Sequence, residues 1–337
     1  MKVLLTGGYG NISWWCTKRA LELGYEVHLL NRTQTTSTRR EIPSGVNVIK
    51  VDYRDFEASK KALEPYSFDV VCDFLCQGEE HAKIAYELFK NKTKQYILIS
   101  SGVVYKRHEI PEIFSENDEK YTEEEASPYI LGKLQAERFF NEKYEKEGFP
   151  ITIIRPGYTL DNILPYMLGH NCYTVADRYL RGKPFLMAST GENLCTFTHS
   201  SDFAEAFVCL FGNKDTIGEA FNLTGDNVTT YNEMMSTFGR ALVDKKPDLL
   251  YIPYKDCLEL SQFMPRDLMI QRMNDEVFDN SKIKSIAKNW TTKMNNKDIV
   301  TLGLKWLNED SKRIRINKEL DEKLEALTQK YMVSAGR

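Results

Sequence analysis

The chain has 337 residues, with 45 Lys+Arg against 48 Asp+Glu and a formal net charge of −3, which is material for one large or two unequal domains. A content of 42% hydrophobic and 28% charged residues is globular and excludes disordered and fibrous architectures. The near-neutral balance argues against general phosphate-backbone binding, so nucleic acid is not an expected partner.

In chain order, Val3-Leu4-Leu5 is a short apolar run that delivers the backbone into Thr6-Gly7-Gly8-Tyr9-Gly10, which reads as a buried strand and a tight glycine turn. A helix follows through Ala20-Leu21-Glu22-Leu23 and stops at Gly24. Further strands are expected at residues 25–30, 46–52, 70–74, 96–100 and 151–155, with helix-sized stretches at 79–90 and 129–147. Apolar strands alternating with helices make an α/β, doubly wound parallel sheet covered on both faces. The texture becomes irregular after Arg155-Pro156-Gly157, so residues 1–157 are expected to form the sheet core. Residues 158–337 are then mainly a smaller region that packs over the end of the sheet and closes a cleft, with some segments returning to the core. Ser201 to Leu210 reads as a helix, and residues 311–330 as an amphipathic helix with a solvated face.

The seven Cys, at 16, 72, 76, 172, 195, 209 and 257, form no quartet at zinc-site spacing, and the five His are scattered, so no metal is expected. The odd Cys count, a start at Met1-Lys2-Val3-Leu4-Leu5 and the lack of any run near the roughly 20 apolar residues of a membrane span point to a cytoplasmic protein without a membrane partner.

Gly7-Gly8-Tyr9-Gly10-Asn11-Ile12-Ser13 lies between a strand and a helix, the context in which glycines let a backbone approach a pyrophosphate and helix amides meet its charge. Gly7, Gly10, Asn11 and Ile12 are therefore candidate cofactor contacts. At the end of the second strand an acidic residue would bind free ribose hydroxyls, whereas a ribose phosphate needs a cation. Here stand Asn31 and Arg32, with Arg39 and Arg40 nearby, which tilts the expectation to NADP(H) over NAD(H). Asp52 and Tyr53 end the third strand and are expected to face the adenine; Phe74 ends the fourth and completes the cofactor set.

Ser100-Ser101 closes the fifth strand, and Tyr129-Ile130-Leu131-Gly132-Lys133 opens a helix after Ser127-Pro128. Four residues of spacing put Tyr129 and Lys133 on one helix face. A cation beside a phenol favours the phenolate, so Tyr129 is expected to exchange a proton with a substrate hydroxyl or carbonyl. Ser101 hydrogen-bonds the same oxygen.

With these residues in place the chain resembles the extended short-chain dehydrogenase/reductases of the NAD-dependent epimerase/dehydratase type. Arg155-Pro156-Gly157, His199 to Ala204, Phe221 to Gly225 and Asp279 to Lys282 all fall in that family's order. The resemblance implies a Rossmann fold, a nicotinamide cofactor and a Ser101, Tyr129, Lys133 catalytic set in which Lys133 also holds a cofactor ribose. It further implies a small-molecule substrate, with specificity around Cys76, Gln77, Val103, Tyr158, Thr159, Tyr173, Phe197 and His199, and a homodimer by family analogy. His199 also reads as a structural residue that orients the helix beyond Ser201.

Two departures bear on the reaction. Related 4,6-dehydratases carry an Asp-Glu pair after the catalytic Thr, where this chain has Gly102 and Val103. Related sugar-nucleotide epimerases often have an Arg and an Asn where this chain has Cys195 and Tyr158, which weakens the usual diphosphate grip; Arg178, Arg181 and Lys183 are candidates to compensate. The leading expectation is an NAD(P)-dependent epimerase/oxidoreductase acting at a secondary alcohol or ketone of a sugar or sugar-nucleotide-like substrate. The alternatives are an NADPH-dependent reductase of a non-nucleotide ketone, and a non-catalytic nucleotide-sensing or RNA-associated protein.

Overall fold

A computed structural model describes residues 1–32, 40–107, 113–169 and 172–334. In order, the elements are β1 Lys2–Thr6, α1 Ser13–Glu22, β2 Glu26–Asn31, β3 Asn47–Lys50, α2 Phe56–Leu63, β4 Val70–Asp73, α3 Glu79–Phe89, β5 Tyr96–Ile99, β6 Ile113–Phe114, α4 Pro128–Glu147, β7 Ile151–Pro156 and β8 Tyr158–Leu160. They continue with α5 Thr174–Leu180, β9 Phe185–Ala188, β10 Leu194–His199, α6 Ser200–Phe207, β11 Ala220–Leu223, β12 Val228–Thr230, α7 Tyr231–Val243, β13 Leu249–Ile252 and α8 Tyr254–Cys257. The last are α9 Arg266–Arg272, β14 Val277–Phe278, α10 Ser281–Ile286, α11 Asn296–Asn308 and α12 Lys318–Ser334.

Seven strands form one sheet in the order β11-β7-β5-β4-β1-β2-β3, and every pairing in it is parallel. The expected doubly wound class is the fold observed. Strand residues alternate between faces, and in β1 Val3 and Leu5 join one core with Cys16 and Ala20 of α1 and Phe203 and Phe207 of α6. Leu4 joins the opposite core with Ala82 and Ala85 of α3 and Ala136 and Phe140 of α4. Because both faces are covered there, five strands, β1, β2, β4, β5 and β7, read as largely apolar runs in sequence, while β3, also expected, is an edge strand that is mostly exposed. The seventh, β11, pairs with the outer edge of β7 (Phe221 opposite Ile154, Asn222 opposite Arg155). It returns from the second half of the chain.

The second half builds a separate core around Phe185, Phe197, Phe238, Leu304, Trp306 and Leu320, with the small sheets β12-β10-β8 and β13-β9. α12 lies in that core through Leu320, Leu324 and Leu327. Its acidic face is not merely solvated: Arg178, buried, pairs with Asp321 at 2.7 Å and Glu325 at 3.0 Å, Arg181 with Asp321 at 2.8 Å and Lys183 with Glu325 at 2.8 Å. The three cations considered for a diphosphate are thus engaged by α12 and do not take that role.

Among the described residues no helix is long and apolar enough to cross a membrane, and no group of three or more His, Cys, Asp or Glu is arranged to hold a metal.

Candidate active site

The glycine turn is built by local hydrogen bonds. Gly7, at φ +67°, turns the chain out of β1 where a side chain would be strained and would also run into Leu75. Its amide donates to the Leu30 carbonyl at 3.0 Å. Ser13 donates its hydroxyl to the Gly7 carbonyl at 2.6 Å and accepts the Gly10 amide at 2.8 Å, while Thr17 ties down the Gly8 carbonyl at 2.6 Å. α1 then starts with Ile12 at its cap, without a side-chain cap and without an acid in its first turn. Its leading amides and positive dipole end stay available for an anion.

Beside this turn lies a cavity of about 420 Å³ lined by Gly7, Gly10, Asn11, Ile12, Phe74, Ser101, Tyr129 and Lys133. Eight of the residues expected from sequence therefore meet at one place. Lys133 is buried, and its Nζ donates to the carbonyls of Cys76 at 2.8 Å and Ile99 at 2.9 Å, which aims the ammonium at the end of the sheet. It lies 5.9 Å from the Tyr129 ring centroid. Ser101 caps the short 3₁₀ turn at Gly102–Val104, accepting the Val103 amide at 3.4 Å, so its proton remains to donate.

Gly132, between Tyr129 and Lys133 in sequence, lets α4 approach this closely. A β-carbon there would overlap the Gln77 carbonyl oxygen and crowd Gly78. Gly inside a helix normally costs about 0.5–1 kcal/mol against Ala, but here Gly132→Ala is expected to destabilise by about 1–3 kcal/mol through overpacking. It will also displace Lys133 from the Cys76 carbonyl. A fall in the unfolding midpoint checks the first effect and weaker dinucleotide binding the second.

Other expected residues stand elsewhere. Tyr53 is buried beneath the sheet, its hydroxyl donating to Asp73 at 2.6 Å. Thr6 donates to the same carboxylate at 2.7 Å, and Tyr96 donates to it as well. Tyr53 is therefore a packing residue and its expected place at the adenine is corrected. Asp52, Arg32 and Asn31 lie outside the cavity lining, at the β2 and β3 ends. Arg54 grips Asp52 at 3.0 Å and 3.1 Å; that hydrogen bonding holds the Asp52 carboxyl below its usual range. Arg32 approaches Asp52 to 3.8 Å, and the Asn31 Nδ2 is buried without a partner among the described residues. Arg39 lies outside the described residues, and Arg40 donates two hydrogen bonds to buried Asp161 at 2.6 and 2.8 Å.

Of the specificity candidates, Gln77, Val103, Tyr158 and Thr159 line the cavity, whereas Cys76, Tyr173, Phe197 and His199 do not. His199 is buried and its Nδ1 accepts the Ser201 amide at 3.2 Å as the cap of α6, the structural role considered for it.

Sequence reasoning missed the far wall, made by Tyr231, Gln271, Arg272 and Glu276. Arg272 donates to the Tyr158 hydroxyl at 2.9 Å and to backbone carbonyls of residues 166–169. Tyr231 keeps a buried hydroxyl without a partner. Glu276 accepts from Gln271, and burial pushes its carboxyl up to about 7, with the Arg107 charge, the Gln271 hydrogen bond and the Arg272 charge opposing. A carboxyl raised in the fold favours the folded state fully below its unfolded value of about 4.3, and that contribution is lost as pH climbs through about 7. The Glu276→Gln variant should therefore gain on the parent in thermal stability between pH 5 and pH 8, by about 3 kcal/mol. Equal pH dependence of the two melting curves would contradict this.

A family model for the NAD dependent epimerase/dehydratase family matches residues 3–224. The chain belongs to this family. Its enzyme class, an NAD-dependent epimerase or dehydratase, follows from that membership. Among curated proteins the chain is similar to the chloroplast stem-loop binding protein of 41 kDa b of Arabidopsis thaliana, at 24% identity over 273 residues, covering 76% of this chain and 67% of that protein. Among solved structures it is similar to Pal from Bacillus thuringiensis, with a TM-score of 0.71 and 20% identity over 92% of this chain and 99% of that one. It is also similar to dTDP-glucose 4,6-dehydratase from Bacillus anthracis in complex with NAD, with a TM-score of 0.73 and 17% identity over 93% and 98% of the two chains. UDP-glucose 4-epimerase from Thermotoga maritima with UDP-glucose gives 0.71 and 17% over 92% and 99%. At these identities the structural likenesses speak for the fold. The family's NAD fits the residues present: the uncapped start of α1 and a buried, unpartnered Asn11 Oδ1 are what a diphosphate and ribose hydroxyls would satisfy.

Proposed function

We propose that this family member is an epimerase that oxidises and re-reduces one secondary alcohol carbon of a sugar-nucleotide-like substrate. The observation that supports this reading is that Ser101, Tyr129 and Lys133 line the same cavity as the Gly7–Ser13 turn. When bound, the nicotinamide supplies the hydride acceptor and donor. The Tyr129 phenolate takes the substrate's hydroxyl proton, the resulting phenol returns it, and Lys133, on the same face of α4, stabilises the phenolate. Ser101 holds the reacting oxygen by donating its hydroxyl. Gly102 and Val103 follow Ser101 with neither acid nor base, which speaks against water elimination by the 4,6-dehydratase route.

The test is to release and identify the bound cofactor from freshly purified protein, then to follow UDP-glucose and UDP-galactose by proton NMR. Retained NAD and interconversion of the two 4-epimers are expected. An empty protein that consumes NADPH while reducing a ketone would replace this reading with that of a dissociable-cofactor reductase.

Arg32 supports NADP(H) and the adjacent Asp52 carboxylate opposes it. If Arg32 reads a ribose phosphate, Arg32→Ala will weaken NADP(H) about tenfold, one ion pair's worth, and leave NAD(H) within twofold. Equal losses would remove Arg32 from that role. A second reading, stem-loop RNA binding, is favoured by the name of the Arabidopsis relative. A gel shift with a stem-loop RNA in the presence and absence of NAD separates it from catalysis.

A further inference from the structure

Glu276 belongs to the wall of the reaction cavity that the second half of the chain builds, with Tyr231 at the start of α7 and Gln271 and Arg272 at the end of α9. Its backbone is fixed: the Glu276 amide donates to the Leu194 carbonyl at 2.7 Å, and the residue bridges to Cys195 of β10. The side chain is buried, with the residue 1% exposed. Oε1 accepts from the Gln271 Nε2, while Oε2 has no hydrogen-bond partner among the described residues. The nearby Tyr231 hydroxyl is sealed in without a partner, but Glu276 Oε2 is not sealed in; it keeps an opening to the cavity that the residue lines.

A carboxyl oxygen held in a dry wall without a hydrogen bond is costly, and its surroundings say what chemistry would satisfy it. The Arg107 and Arg272 charges already act on this carboxyl, so a further cation would be repelled by both. A phosphate or carboxylate would set two negative groups together in a site of low dielectric. A neutral O–H donates to the oxygen without adding charge. Ile163, Leu268 and the Tyr158 ring line the cavity as well, and apolar surfaces of this kind suit the C–H faces of a sugar ring.

We infer that Glu276 Oε2 accepts a hydrogen bond from a ring hydroxyl of the substrate's sugar, which makes Glu276 a specificity-determining residue and keeps the substrate's diphosphate away from this wall. This rests on the epimerase reading of the cavity. Binding should then follow the charge of one carboxyl. Burial raises the Cys195 thiol and the Tyr158 and Tyr231 phenols around it, so these stay protonated near neutral pH. Arginine does not titrate there, and the Asp275 carboxylate is bonded to the Leu194 amide at 2.7 Å. Glu276, pushed up to about 7, loses its proton between pH 6 and pH 8, and its carboxylate is the stronger acceptor.

The test is calorimetric titration of the full chain, in excess NAD, with UDP-glucose and with the methyl ester of UDP, which keeps the diphosphate charge and lacks the sugar. From pH 6 to pH 8 the parent should gain up to about tenfold in affinity for UDP-glucose and stay within about twofold for the ester. Glu276→Leu should weaken UDP-glucose about ten- to hundredfold at pH 8 and leave the ester within about twofold, so the ester also reports that the variant is folded. Glu276→Gln keeps an acceptor and should recover part of the loss without the pH dependence, a change that a merely structural role would not produce. A parent that binds neither ligand would overturn the epimerase reading and this inference together. UDP-glucose affinity that is unchanged in Glu276→Leu, or a pH profile that is unchanged in Glu276→Gln, would overturn this inference alone.

Discussion

Replacing Tyr129 with Phe is expected to lower turnover of the true substrate by about 10²- to 10⁴-fold, the range that a positioned proton-transfer group supplies, and to leave NAD affinity within about twofold. The ring lines the cavity, 37% exposed, and its hydroxyl makes no hydrogen bond among the described residues, so the loss of one oxygen removes chemistry and not structure. Lys133 behaves differently. Its ammonium bridges the Cys76 and Ile99 carbonyls, so Lys133→Met leaves two carbonyls without their donor and lowers cofactor affinity as well as turnover. Stopped-flow turnover combined with fluorescence titration of NADH separates the two cases. Turnover by Tyr129→Phe within threefold of the parent would remove Tyr129 from proton transfer.

The second large effect belongs to the pair behind Ser101. Arg155 on β7 and Glu137 on α4 are both buried and form a two-pronged ion pair at 2.7 and 3.0 Å. Ser100 donates to the same Glu137 carboxylate at 2.5 Å. Arg155 also donates to the Tyr105 hydroxyl at 2.9 Å, and Tyr105 donates onward to Asn222 of β11 at 2.7 Å. Burial alone would raise the Glu137 carboxyl; the charge and hydrogen bonds of Arg155, with Ser100, outweigh it and hold it below its usual range. That contribution is present above an unfolded value of about 4.3 and is lost as pH falls through the depressed folded value.

Removing one partner strands a charge in a dry interior, so Arg155→Met and Glu137→Leu should each cost about 3–5 kcal/mol. The double variant, which strands neither charge, should be more stable than either single one. Urea unfolding of the four proteins decides this, and a double variant with additive losses would show that the pair is not the unit of stabilisation.

How much of this was readable beforehand depends on where each signal lives. β1, β2, β4, β5 and β7 are buried on both faces, so each is a continuous apolar run in sequence. The glycine turn and the Tyr129, Lys133 spacing are local patterns, and local patterns survive without a structure. β11 is only Ala-Phe-Asn-Leu, more than sixty residues after β7, and its strand character comes from the open β7 edge. Glu276 looks like any solvated Glu until β10 and α9 close around it. Arg178, Arg181 and Lys183 look like surface charges for the same reason, because their carboxylates lie about 140 residues away on α12. Tyr53 was misplaced because its partner, Asp73, ends β4, which the sheet order separates from β3 by β1 and β2.

The return of β11 to the β7 edge also sets an order for synthesis of the chain. When residues 1–157 have left the ribosome, the sheet has its nucleotide turn and Tyr129 helix but a bare outer edge, a row of unpaired backbone groups that other chains can join. The Tyr105 hydroxyl then still lacks Asn222. Nascent chains must hold this unfinished edge until residue 223 emerges, some sixty-five residues later, or several seconds at ordinary elongation rates. A fragment cut after Gly157 should therefore collect as aggregate, and adding residues 158–223 in the same chain should rescue it.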